Sequence, residues 1–231
     1  MKKNKINIYI DGPSIDEITS FLKYDGFTFN PSLYKKLGAD NYLNFSKKIL
    51  EKTENKPVSI EVIADDLENC YSQALKIKEL SDNVYVKIPI TYTNGESTIK
   101  LIKKLSDVGV KLNITAIFTL DQIKKILGEI KNDKHILSIF SGRIYDIGLD
   151  GGELFKGMSD YIHENSNCLS LWASCRMPYD LLAAEKAGGD IITMPPSFIQ
   201  KLSLFGKKPE EFSLETVQNF FDDAKKANFK I

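Results

Sequence analysis

The chain has 231 residues, with 31 basic and 31 acidic side chains and a formal net charge of zero. That length suits one α/β domain with a sizeable core, and the balanced, interspersed charge gives no electrostatic footprint for a nucleic acid or a membrane surface. No run of about 18 apolar residues is present and the start is too weakly apolar for a secretory leader, so a cytoplasmic protein acting on a small molecule is expected. Strand-like runs then alternate with amphipathic helical segments along the chain. KINIYID precedes a short helix to Leu22, GFTFN a helical region to about Glu54, and PVSIEVIA a helix from Leu67 to Leu80. VYVKIPI leads into Ser97 to Ser106, KLNITAI into Asp121 to Ile130, and HILSIF into Glu153 to Asn165. CLSLWA is followed by Tyr179 to Ala187, and DIITM by Ser197 to Leu204. Eight strand–helix units in just over 200 residues predict a closed (β/α)8 TIM barrel, one domain spanning 1–231. A further helix at about 214–227 lies outside the eight; its stripe of Leu214, Val217, Phe220, Phe221 and Ala224 has to cover its own barrel or a neighbouring subunit.

Within this frame Lys87 is the anomaly. It sits inside the apolar, β-branched run NVYVKIPIT, where desolvation favours the neutral amine, the form that attacks a carbonyl carbon. The alternative is an edge-strand lysine that snorkels to solvent. Other polar residues repeat the placement. Residues two apart share one face of a strand, and the polar residues fall near the C-terminal ends, where barrel enzymes build their sites. They are Asp11 on strand 1, Thr28 and Asn30 on strand 2, Glu61 on strand 3, Asn113 and Thr115 on strand 5, Ser138 with Phe140 on strand 6, and Ser174 with Arg176 at the end of strand 7. Polar groups on seven of eight strands are a costly way to build a core, which points to a pocket. Only two of the 31 basic residues are arginines, Arg143 and Arg176. A guanidinium fork matches phosphate or carboxylate oxygens, so both are candidates for anion recognition, with structural ion pairs as the alternative. Cys70, Cys168 and Cys175 lack the spacing of a disulfide framework or zinc site, and His135 and His163 read as incidental; no metal and no cofactor is expected.

The segments IYID, TFNPS, SIEV, VYVKIPIT, NITAIF, SIFSGRIYD and ASCR, in this order, resemble the transaldolases and the related small fructose-6-phosphate aldolases, with a length like that of the short-chain branch. The resemblance implies Lys87 as the Schiff-base lysine, Asp11 as the group that moves the proton of the sugar C4 hydroxyl, and Glu61 with Thr115 as holders of a catalytic water. It implies Asn30 and Asn113 as holders of the dihydroxyacetone hydroxyls, Ser138 as a substrate contact beside Thr28, and Phe140 as the wall beside the lysine. Arg176 with Ser174 would bind the sugar phosphate, and Arg143 in SGRIYD would be structural or would support the site's contact residues from behind. It further implies a class I transferase of the pentose phosphate pathway, moving a dihydroxyacetone unit from fructose 6-phosphate to erythrose 4-phosphate, and a homo-oligomer, pentamer or decamer, joined through C-terminal helices. Among relatives of this kind the transaldolases carry a glutamate at the Glu61 position where the aldolases carry a glutamine, and the aldolases tend to place a tyrosine at Phe140. The alternatives are an aldolase that releases the three-carbon unit, and a barrel that binds or acts on an unusual sugar phosphate. Three departures from the family pattern stand out: Phe29 in place of a threonine, expected to face the helices; Gly12-Pro13 after Asp11, which bears on the acceptor; and Cys175 and Met177 around Arg176.

Overall fold

The computed structural model describes residues 6–131 and 134–230. Its eight strands are β1 (Asn7–Asp11), β2 (Gly26–Thr28), β3 (Val58–Glu61), β4 (Val84–Pro89), β5 (Leu112–Ile117), β6 (Ile136–Ile139), β7 (Leu169–Trp172) and β8 (Ile191–Met194). All pair in parallel and in sequence order, and β8 closes on β1. The expected (β/α)8 TIM barrel is therefore what forms, with an additional C-terminal helix. Lys5, included in the first strand by sequence, lies outside the described residues.

The helices are α1 (Pro31–Lys36), α2 (Tyr42–Lys52), α3 (Leu67–Lys78), α4 (Ile99–Asp107), α5 (Leu120–Leu127), α6 (Ser141–Asp146), α7 (Gly151–Asn165), α8 (Asp180–Lys186), α9 (Pro196–Lys201) and α10 (Pro209–Lys226). Two of them refine the sequence reading. The helical region after β2 is split at Gly38, whose φ of +74° suits the glycine that ends α1. The six-residue α6 was not anticipated, because one and a half turns give too little periodicity to recognise.

Strand alternation sorts side chains into two cores. Ile10, Phe27, Ile60, Val86, Ile114, Leu137, Trp172 and Ile192 face the helices and belong to the large outer core. Phe29 joins them, stacked on Tyr34 with ring centroids 5.8 Å apart. Its replacement of a polar residue therefore leaves the barrel interior untouched. Inside the barrel Tyr9, Ile136, Leu171, Ala173 and Ile191 form a separate cluster that plugs the floor, with Tyr85 and Phe140 packed against it. Gly26 is required there: a Cβ would lie 2.7 Å from the Tyr9 ring. Above this floor the interior becomes polar.

The helix α10 starts at Pro209, five residues before the expected Leu214, because proline suits the first helical position and Glu210 and Glu211 suit the positive end of the helix dipole. It buries none of its residues against the barrel, and Leu214, Val217, Phe220 and Phe221 are all exposed. Among the described residues no helix is long and apolar enough to cross a membrane.

Candidate active site

The strand register brings Glu61 opposite Lys87 and Lys87 opposite Asn113 on neighbouring strands. Lys87 is 6% exposed, and its Nζ lies 3.1 Å from Glu61 Oε2 and 3.3 Å from the Phe29 carbonyl oxygen. The amine is thus neither snorkelled nor alone. The Glu61 backbone carbonyl accepts a hydrogen bond from the Tyr42 hydroxyl at 2.6 Å, which ties the end of β3 to α2.

An inner cavity of about 120 Å³ is lined by Asp11, Thr28, Asn30, Lys87, Asn113, Thr115, Ser138, Phe140, Arg143, Ala173, Ser174 and Thr193. It adjoins a wider, more open space of about 470 Å³, which Glu61, Ser32, Pro89 and Phe118 also line. A larger groove of about 610 Å³, between α2 and α3, lies outside the barrel and contains none of the candidate residues.

Inside the inner cavity the polar groups hold one another. Ser138 Oγ donates to Asn113 Oδ1 at 2.7 Å, and Asn113 Nδ2 donates to Ser59 Oγ at 2.9 Å, so the amide orientation is fixed by two buried hydroxyls. Asn30 caps α1, its Oδ1 accepting from the Leu33 N–H at 2.9 Å, which leaves its NH2 as the group free to donate. Thr28 Oγ1 donates to Asp11 Oδ1 at 2.7 Å. Burial pushes the Asp11 carboxyl above its ordinary value; Lys87 and the Thr28 hydrogen bond pull it down, and the Glu61 charge adds to the rise. After Asp11 the chain turns through Gly12 at φ +61°, where Leu33 leaves no room for a Cβ. The Gly12-Pro13 departure thus folds the loop against α1.

Thr115 lies in a bulge of β5 between Ile114 and Ile117, where Ala116 takes φ +59°. A left-handed alanine costs roughly 1 kcal/mol or more, and such strain gathers at functional positions. Thr115 Oγ1 is buried with no hydrogen-bond partner in the protein, on the wall shared by both spaces. Phe140 sits just past β6, 5.9 Å from the Phe118 ring.

The two arginines have different surroundings. Ser174, with φ +64°, breaks the strand alternation after β7, so Arg176 does not continue the inward face. Its guanidinium forks onto Asp146, with Nε donating to Oδ1 at 2.9 Å and a second bond to Oδ2, and its backbone N–H donates to Asp180 at 2.6 Å. Arg176 is not among the cavity-lining residues; Arg143 is. The reason is Gly142. A Cβ there would fall 1.6 Å from the Ser174 carbonyl oxygen, so α6 rests directly on the β7 turn, and the next residue, Arg143, stands at the rim beside Ser174. Sequence reasoning also passed over Ser59, one strand period before Glu61, and Thr193, the polar residue of an otherwise apolar β8. The two-residue period from Glu61 reaches Ser59, and strand 8 was the one strand left without an inward polar group.

The two histidines hold structure together. His135 Nδ1 accepts from the Leu112 N–H at 3.2 Å, and His163 Nε2 lies 2.7 Å from Asp190. The three cysteines are buried and none is in a disulfide.

The strand ends of a closed parallel barrel thus bring a buried lysine to the wall between two adjoining spaces, with Asp11 on the inner one and Glu61 on the wider one. Residues 8–231 match the family model described as Transaldolase/Fructose-6-phosphate aldolase. The chain is 33% identical over 201 residues to a "Probable transaldolase" of Ruegeria sp. (strain TM1040), covering 85% of this chain and 88% of that protein. A "Probable transaldolase" of Bartonella henselae is 30% identical over 230 residues, 98% of this chain and all of the other. The chain therefore belongs to the transaldolase/fructose-6-phosphate aldolase family. Among solved structures, a phosphonomutase described as putative, from Burkholderia cenocepacia, superposes with a TM-score of 0.59 at 10% identity, over 94% of each chain. At that identity the likeness concerns the barrel alone.

Proposed function

We propose that this family member is a transaldolase in the strict sense, a transferase that carries a dihydroxyacetone unit between sugar phosphates as a Schiff base on Lys87. The observation that carries the reading is the 3.1 Å contact between the buried Lys87 Nζ and Glu61, with Asp11 in the same cavity. An ammonium hydrogen-bonded to a carboxylate has a route for losing the proton that blocks its attack. The free amine adds to the C2 carbonyl of a ketose, and loss of water leaves an iminium. The Asp11 carboxylate then accepts the C4 hydroxyl proton as the C3–C4 bond breaks, an aldose leaves, and the bonding electrons enter the iminium to give an enamine. An acceptor aldehyde reverses these steps.

The small inner cavity suits the three-carbon unit, with Asn30, Asn113 and Ser138 near its hydroxyls. The wider space suits the remainder of the sugar. Thr115, with its unpaired hydroxyl, and Glu61 are placed to hold the water of iminium formation and hydrolysis. For the phosphate the geometry favours Arg143 with Ser174. Arg176, matched with Asp146, has the supporting task of tying α6 to the turn after β7. Fructose 6-phosphate and erythrose 4-phosphate are the proposed pair, as in pentose phosphate interconversion inside the cell. The unpartnered apolar face of α10 supports a homo-oligomer built through that helix.

Glu61 and Phe140 favour transfer over release. Freeing dihydroxyacetone requires protonation of the enamine, and a phenylalanine at 140 supplies no proton. The experiment is consumption of fructose 6-phosphate with and without erythrose 4-phosphate. Consumption that depends on the acceptor supports the transferase; equal release of glyceraldehyde 3-phosphate without it replaces the transferase with an aldolase.

A further inference from the structure

The eighth strand contributes one polar side chain to the inner cavity. Thr193 is buried, and its hydroxyl lies 2.5 Å from that of Thr28, which in turn donates to Asp11 Oδ1 at 2.7 Å. The three side chains come from β8, β2 and β1, with β1 between the other two and Asp11 in register with Thr28. Proton counting gives this chain a direction. An ionised carboxylate only accepts, so the single Thr28 proton is committed to Asp11; the Thr28 oxygen can then only accept from Thr193, whose proton points at Thr28.

We infer that Thr193 is a positioning residue for Asp11: by donating to the Thr28 hydroxyl, it commits the Thr28 proton to the Asp11 carboxylate and holds the catalytic base in its ionised form. Without Thr193, the Thr28 hydroxyl is free to turn away and is a poorer donor when it stays, because a hydroxyl that accepts a hydrogen bond donates more strongly. The catalytic consequence rests on the proposed Schiff-base transfer; the hydrogen-bond chain does not.

The other groups facing Asp11 act separately. Lys87 from β4 draws the carboxyl towards ionisation and Glu61 from β3 opposes it. Arg143 stands at the rim of the same cavity. Cys175, on the turn after β7, donates its thiol proton to the Thr193 carbonyl oxygen at 3.1 Å, and burial keeps that thiol neutral; its contact fixes the β8 backbone rather than the carboxyl. The Thr193 hydroxyl can therefore be removed without altering a charge.

The test is a carboxyl titration of the full chain carrying 13C at the aspartate side-chain carboxyls, followed by NMR without substrate. The Asp11 resonance is assigned by its loss in Asp11→Asn. Thr193→Val, close to isosteric, should raise the Asp11 midpoint by about half to one pH unit, the size of one neutral hydrogen bond. Thr193→Ser, which keeps the hydroxyl, should titrate like the wild type. In the transfer assay the acidic limb of kcat should move by the same amount in Thr193→Val, with KM changed less than about twofold. An unmoved midpoint in folded Thr193→Val overturns the inference, whatever its activity. Should thermal melting show that Thr193→Val does not fold, Thr193→Ala is read in the same way, and if it too is unfolded Thr193 is structural and the inference fails. A midpoint that moves in Thr193→Val while the wild type shows no transfer activity would refute the proposed function and leave the positioning role standing.

Discussion

Removing the Arg143 guanidinium is the sharpest way to ask which arginine holds the sugar phosphate. Arg143 lines both spaces of the site, whereas the fork of Arg176 is occupied by Asp146. A charge-assisted contact to phosphate is worth about 1.5 to 3 kcal/mol, and the exposure of Arg143 places it towards the lower end through solvent screening. Arg143→Gln should thus lower kcat/KM for fructose 6-phosphate by roughly 10- to 30-fold, mostly through KM, and Arg143→Lys by roughly 3- to 10-fold because the charge stays and the fork is lost. Arg176→Lys removes only an exposed structural fork and should stay within about threefold. The assay is initial-rate transfer to erythrose 4-phosphate, with unphosphorylated fructose as a control donor whose lower activity Arg143→Gln should leave unchanged. Wild-type behaviour of Arg143→Lys beside a crippled Arg176→Lys would refute the reasoning and return the phosphate to Arg176.

Three further outcomes are expected. Gly142→Ala should destabilise the protein by about 1 to 3 kcal/mol, read as a lowered Tm, and should also raise KM, because the added Cβ meets the Ser174 carbonyl at 1.6 Å and pushes α6 and Arg143 away from the turn. Asp11→Asn should abolish transfer yet raise Tm at neutral pH: the folded carboxyl titrates above its unfolded value, so its contribution to stability is full below the unfolded value and is lost as pH rises through the folded one. The Tm advantage over wild type should therefore vanish as pH falls to about 4; an equal Tm difference across that range would count against a strained carboxylate. Truncation before Pro209 removes the exposed apolar face of α10 and should reduce the particle mass in light scattering; an unchanged mass would exclude α10 from assembly.

The barrel and the inward placement of most candidate residues were legible because strand alternation is rigid. Once Lys87 is placed inward, Asn113, Ser138 and Glu61 follow from a period of two and from the eightfold order, and Phe29 is sent to the helices by the same rule. Legibility ended where the strands end. Ser174 leaves the strand through a left-handed turn, so the extrapolation from Ser174 to Arg176 failed, and Arg143 lies on a helix too short to announce itself. Its position depends on the contact between Gly142 and the Ser174 backbone, which joins segments about thirty residues apart and leaves no local pattern. Ser59 and Thr193 were hidden for another reason: a small hydroxyl buried in a strand is ordinary, and only the distances to Asn113 and Thr28 give it a task.

The central claim is covalent chemistry at Lys87, and the most direct measurement is reductive trapping. Borohydride added with fructose 6-phosphate should fix a sugar-derived adduct, because a reduced iminium cannot hydrolyse, and peptide mass spectrometry should place it on Lys87. With Lys87→Met, adduct and transfer should disappear together while the fold persists. An adduct on a different lysine, or transfer activity that survives in Lys87→Met, would contradict the account.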